Sequence, residues 1–97
     1  MKEVFYKAKE DFVHRKVAES DVLISVGANV ANFNGYITLN PTASLLWDAL
    51  ATPQTVDTLT KMLTAEFDVS DEVAKTDVEN FLEMLKRNSM VTVYEDT

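Results

Sequence analysis

The hydrophobic period of this chain changes once, at Leu39-Asn40-Pro41, and that change separates a strand-forming part from a helix-forming part. Upstream, residues 12–17 read as an extended segment, Glu19-Ser20-Asp21 as a turn, and residues 22–26 as a β-branched run stopped by Gly27, together a hairpin. Asn34-Gly35 suits a tight turn with positive φ, so Tyr36-Ile37-Thr38-Leu39 is expected to form a third strand. Alternation sets Ile37 and Leu39 on the face that helices should cover and Tyr36 and Thr38 on the other.

Downstream the spacing is helical. Asn40 is a good N-cap acceptor, and Pro41 fits the first helical position, where its missing N–H removes a donor that would have no partner. Ala43, Leu46, Trp47 and Leu50 share a face, and Thr52-Pro53 closes this helix. A second helix opens at about Thr55, carries Val56, Leu59, Met62, Leu63 and Phe67 on one face, and ends at Asp68. Ser70 caps a third and longest helix, with Asp71 and Glu72 at its start and Lys86 and Arg87 at its end, as the macrodipole favours. Its stripe is Ala74, Val78, Phe81, Leu82 and Leu85; Asn88-Ser89 terminates it, and residues 90–94 read as a closing strand or extended tail. The expected fold is α+β and winged-helix-like: an N-terminal three-stranded antiparallel sheet packed on a three-helix bundle. Residues 1–97 form one domain in this reading, with 1–11 an N-terminal arm and 95–97 a tail.

Composition removes most chemistry from consideration. With no cysteine, one histidine and only Gly27 and Gly35 as glycines, the chain builds no thiolate or two-imidazole site, Walker loop or dinucleotide fingerprint. His14 lies in a strand without a recognisable acid and nucleophile beside it, and is read as a surface or half-buried strand residue with no catalytic role. Asp68, Asp71 and Glu72 lack EF-hand spacing and are read as a solvated helix start; Trp47 is read as a core anchor. No catalytic residue, metal ligand or cofactor is assigned. The net charge is −7, and residues 1–40 hold five bases and five acids, so the whole excess lies in residues 41–97. That balance argues against nucleic acid and anionic membranes and for a neutral or basic partner of the second half. Without a membrane-length apolar run or a signal-peptide core, the expected location is cytoplasmic.

Two features point to peptide binding. On a helical wheel centred on Val78, Phe81 and Met84 lean to the flank of Asp77 and Asn88, while Lys75, Glu79 and Lys86 occupy the other, so one flank of the third helix is apolar to neutral. The strand running from Gly35 through Tyr36, Ile37, Thr38 and Leu39 has neither charge nor proline, the usual protections of an edge. As an edge strand it is open to strand addition, in which a backbone ladder supplies affinity and pockets for alternate side chains supply specificity.

The run Asn34-Gly35-Tyr36-Ile37-Thr38-Leu39-Asn40, followed by Ala43 and Trp47-Asp48-Ala49-Leu50, resembles the strand-to-helix signature of the PqqD-like proteins, or RiPP recognition elements. Thr55-Val56 with Leu59 and Leu63, Phe67-Asp68-Val69-Ser70, Asp77-Val78 with Phe81-Leu82 and Leu85, and Met90-Val91 agree in order and spacing. The likeness covers residues 12–91. Ser89 departs from it, where many members have glycine, leaving Asn88 to supply the positive φ of the final turn; Pro41 stands where an acid is frequent.

The resemblance implies a non-catalytic peptide chaperone of natural product biosynthesis. Such proteins bind the leader of a ribosomally made precursor peptide and present it to a modifying enzyme, often a radical SAM protein. It further implies that the leader adds to the third strand, at Gly35 to Leu39, and packs on the third helix; Asp77, Phe81, Met84 and Asn88 are our choice of contacts there. A chain of this length leaves no room for a fused enzyme, so the modifying enzyme is expected as a separate partner. The alternative is a winged-helix DNA-binding transcriptional regulator. It is disfavoured because a recognition helix should be basic, whereas the third helix carries Asp71, Glu72, Asp77, Glu79 and Glu83.

Overall fold

In the computed structural model, which describes residues 3–26 and 36–96, the change of period at Asn40 is the junction between a sheet and the first helix. The elements run β1 (Glu3–Ala8), β2 (Phe12–Val17), β3 (Ser20–Ser25), β4 (Tyr36–Leu39), α1 (Pro41–Ala49), α2 (Val56–Glu66), α3 (Asp71–Arg87) and β5 (Val91–Asp96). The three-stranded antiparallel sheet has the order β2-β3-β4 and lies against the helices, while β1 and β5 form a separate antiparallel ribbon. The expected sheet and helices are therefore present, and the ribbon is an addition. No helix among the described residues is long and apolar enough to cross a membrane.

Local capping chemistry sets the helix starts. Asn40 accepts from the Ala43 amide at 2.8 Å, and Ser70 accepts from the Val73 amide at 3.2 Å. At α2 the box is reciprocal: Thr55 Oγ1 accepts from the Thr58 amide, and the Thr58 hydroxyl accepts from the Thr55 amide, a threonine standing where glutamate or glutamine is usual. The helices bury Leu46, Trp47, Leu50, Leu59, Leu63, Ala74, Val78, Leu82 and Leu85 against Leu23 and Leu39 of the sheet and Met90 and Val91 beside β5. Trp47 is 5% exposed and meets Phe12 edge-on, ring centres 6.4 Å apart at 86°, which makes it the expected core anchor.

Three local expectations change. Residues 3–8, read as part of an arm, are a strand, because β5 pairs with them from Glu3 opposite Asp96 to Ala8 opposite Val91. The other side of β1 is also engaged: Tyr6 exchanges backbone hydrogen bonds with Gln54, and the Ala8 amide donates to the Leu50 carbonyl. No partner of β1 is near it in sequence, so no local pattern announces it. The first hairpin turns at Ala18-Glu19, since Val17 pairs with Ser20; Ser20 and Asp21 belong to β3, and Ala18 takes the positive φ of 57°. The Asn34-Gly35 turn and Gly27 lie outside the described residues.

The end of α3 is the third. Asn88 keeps φ at −97°, and the left-handed residue is Ser89, φ 56°. Met90 N–H donates to Leu85 O at 2.9 Å and Ser89 N–H to Lys86 O at 3.1 Å, the two bonds of a Schellman closure, with Met90 and Leu85 both fully buried. The expectation that Asn88 would supply the positive φ is thus corrected, because the 6→1 bond requires it one residue later. Ser89→Gly removes the Cβ penalty and is expected to stabilise the protein by about 0.5–1 kcal/mol, raising the thermal midpoint by roughly 3–6 °C. Calorimetry checks it; an unchanged or lowered midpoint would show that the serine is unstrained.

Candidate functional site

The register of the sheet determines which backbone groups of β4 face outward. The two-residue turn makes Val17 and Ser20 a hydrogen-bonded pair, and the Val26 amide donates to Asp11 O at 2.7 Å, so the even-numbered residues of β3 direct N–H and C=O toward β2. Asp21 and Leu23 therefore bond toward β4, to Leu39 and Ile37 opposite them. Tyr36 and Thr38 are left with their backbone groups on the outer edge, where no further strand pairs among the described residues. Their side chains are exposed, Tyr36 at 65%, while Ile37 is half-buried and Leu39 buried on the helix side. The alternation follows the sequence expectation, and the edge presents two donors and two acceptors with no charge on the strand.

On α3, Ala74, Val78, Leu82 and Leu85 are buried, and the two flanks differ as the wheel implies. Glu79, Glu83 and Lys86 line a small cavity with Tyr6 and Val56, so the charged flank looks toward β1 and the start of α2. Phe81 and Met84 on the other flank are half-buried and pack against the same core cluster as Ile37. Asp77 is exposed in a shallow depression with Glu72, Val73 and Thr76. Asn88 is engaged in ending the helix: its amide and its side-chain Nδ2 both donate to Met84 O, at 3.1 and 2.9 Å. Ile37, Phe81 and Met84 are each half-buried against the one core, Asp77 and Asn88 are exposed, and Gly35 is outside the described residues. Val73, 50% exposed one turn before Asp77, extends the apolar flank; its signal in the sequence was a valine outside the core stripe.

His14 joins three elements. Its Nδ1 lies 2.8 Å from Asp48 Oδ1 on α1 and its Nε2 2.9 Å from Asp21 Oδ1 on β3, with the imidazole side chain 21% exposed. Only the protonated ring donates at both nitrogens. The Asp48 hydrogen bond raises the His14 pKa above 6.5, Asp21 adds to it, and partial burial opposes both. A proton held more tightly in the folded state stabilises it fully below pH 6.5, and that stability is lost as pH rises through the raised pKa. Urea midpoints are expected to fall modestly as pH rises across the neutral range, and Asp48→Asn to flatten the fall. An equal fall in the variant would assign the dependence elsewhere. The sequence reading of a half-buried strand histidine stands, but the acid partners it did not find come from 7 and 34 residues away.

The model of the family described as coenzyme PQQ synthesis protein D (PqqD) matches residues 22–91. Among solved structures, one described as TbiB1 in complex with the TbiA(beta) leader peptide is similar over 88% of this chain and 93% of its own, at 19% identity and a TM-score of 0.69. A lasso peptide synthetase B1 complexed with the leader peptide is similar over 90% and 96%, at 22% identity and a TM-score of 0.70. These likenesses establish the fold. No curated protein is a significant match to the sequence.

Proposed function

Because the chain belongs to the PqqD family, we propose that it is an adaptor that binds the leader segment of a ribosomally synthesised precursor peptide and presents the remainder to a separate modifying enzyme. The leader adds as a strand to β4, its backbone bonding to the outward N–H and C=O groups of Tyr36 and Thr38. Alternate leader side chains then fall on the helix side, beside Ile37 and the flank of Val73, Asp77, Phe81 and Met84. Leu39 anchors the edge from inside the core, Asn88 bounds the far end of the groove, and Gly35, outside the described residues, is a contact on the sequence reading alone. Both solved relatives with this fold are described as complexes with leader peptides, which supports the reading. The observation that carries it is an uncharged edge strand whose outward backbone groups are unpaired among the described residues, in a sheet packed on the same core as the apolar flank of α3. The reading gives this chain no catalytic step, a radical SAM protein as its expected enzyme, and a cytoplasmic setting.

The test is amide exchange and chemical shift in the labelled protein, titrated with synthetic leader peptides of ribosomally made precursors from the same genome. Tyr36 and Thr38 amides are expected to gain protection on binding, while Ile37 and Leu39, already bonded to β3, change little. Saturating peptide without protection at Tyr36 and Thr38 would exclude strand addition.

A further inference from the structure

An adaptor that keeps its peptide on β4 needs a second surface for the enzyme, and the opposite edge of the same sheet has the features of one. β2 and β4 are the two outer strands of the β2-β3-β4 sheet, so a partner on β2 does not compete with a strand on β4. At the corner where β1 leads into β2, a cleft of about 420 Å³ is lined by Lys7, Lys9, Phe12, His14, Trp47 and Asp48, among others. The Phe12 and Trp47 rings, packed edge-on, form its apolar floor. By the pairing that turns Tyr36 and Thr38 outward on β4, His14 and Lys16 on β2 direct their backbone groups away from β3.

The cleft lining carries two lysines, Lys7 and Lys9, and two acids, Glu10 and Asp48, in a chain of net charge −7. Neither lysine makes an ion pair among the described residues. Asp48, the acid on the α1 wall of the cleft, is already bound to His14. Glu10 is the other acid on the lining, so with Asp48 engaged one carboxylate remains against two lysines. In a strongly acidic chain those two cations favour an acidic segment at this corner.

We propose that the β1–β2 corner and the outer edge of β2 dock an acidic, extended segment of the modifying enzyme, with an aliphatic or aromatic side chain of that segment seated in the cleft over Phe12 and Trp47. This rests on the adaptor reading. Lysine charges steer the segment and set its register, and the buried side chain supplies most of the affinity. The geometry leaves leader and enzyme on opposite edges of one sheet, bound at the same time.

The probe is a synthetic peptide alternating glutamate with leucine, titrated into the labelled protein already saturated with its leader peptide. Expected are shifts at Lys7, Lys9 and His14 amides and at the Trp47 indole, with β4 unchanged. Affinity is expected to fall at least about tenfold in the Lys7→Glu, Lys9→Glu double variant and to weaken with added salt. In that variant leader affinity should remain at the wild-type value, while leader-dependent modification by the partner enzyme falls by a similar factor. Lys7→Gln, Lys9→Gln, which removes charge without reversing it, should give an intermediate loss. Several results overturn the inference: peptide shifts confined to β4 and α3, full affinity in the double variant, or a lysine-leucine peptide binding equally well. Equal shifts with duplex DNA would assign the corner to phosphate, and dimers that dissociate in the double variant would assign it to a second copy of this chain. Failure of the leader itself to bind would sink the adaptor reading instead, and the two failures are read in separate titrations.

Discussion

Met84→Asp is expected to weaken leader binding by at least about 100-fold while leaving the helical circular dichroism at the wild-type level. Met84 is half-buried against the core on the flank of α3 that carries Phe81, so in the proposed groove its outer half is what an added strand would cover. A carboxylate there keeps its hydration in the free protein but loses it under the peptide, and Arg87, three residues on, replaces only part of that water. A desolvation of several kcal/mol, offset by about 0.2–0.5 kcal/mol from such a pair, exceeds the ~2.7 kcal/mol that corresponds to 100-fold. The folded state is affected less. An acid near the C-terminal turn opposes the macrodipole by about 0.3–1 kcal/mol, and the lost packing is that of a partly exposed side chain. Met84→Leu, which keeps the apolar surface, should bind within about threefold of wild type. Calorimetric titration of the three proteins decides it, and wild-type affinity in Met84→Asp would move the groove away from this flank.

Thr38→Pro is the second large effect, expected to cost about tenfold or more in leader affinity for little loss of stability. The Thr38 N–H faces the outer edge, so proline removes no bond between β3 and β4. Its φ suits an edge strand, and the restriction it places on Ile37 favours the extended conformation already present. What is lost is a donor to the incoming strand, about 0.5–1.5 kcal/mol net, and the pyrrolidine ring also blocks close approach. Ile37→Pro is the contrasting control: it removes a bond to Leu23 inside the sheet and should unfold the edge. Denaturant midpoints and affinities of the two variants together test the register; equal destabilisation by both would place the Thr38 amide inward.

The parts of the fold that were legible in the sequence are those determined by neighbours. Asn40-Pro41, Thr55 and Ser70 start helices because each cap acts on an amide three residues on, and Tyr36 to Leu39 alternates because a strand with one covered face must. The apolar flank of α3 was visible for the same reason, since Phe81 and Met84 lie at helical spacing from Val78. Val73 was passed over because one exposed valine outside a stripe looks like ordinary surface. The Ser89 turn was misplaced by one residue, because the choice between Asn88 and Ser89 depends on burying Met90 against Leu85 rather than on propensity.

The sequence by itself determined the class of this protein: strands before Asn40, helices after it, a core anchored by Trp47, a chain with no cysteine and one histidine, an uncharged strand and an asymmetric helix. Each of these rests on short-range periodicity, capping or composition, which act within a few residues. Only the tertiary structure decided that β1 is a strand, that Tyr36 and Thr38 turn their backbone groups outward, that His14 is held between Asp21 and Asp48, and that Lys7 and Lys9, without an ion pair among the described residues, line a cleft at the edge opposite β4. Those facts depend on the register of the sheet and on pairings distant in sequence, such as His14 with Asp48 and Glu3 with Asp96. Such contacts form only when the whole chain has closed around its core, so no local stretch of sequence encodes them.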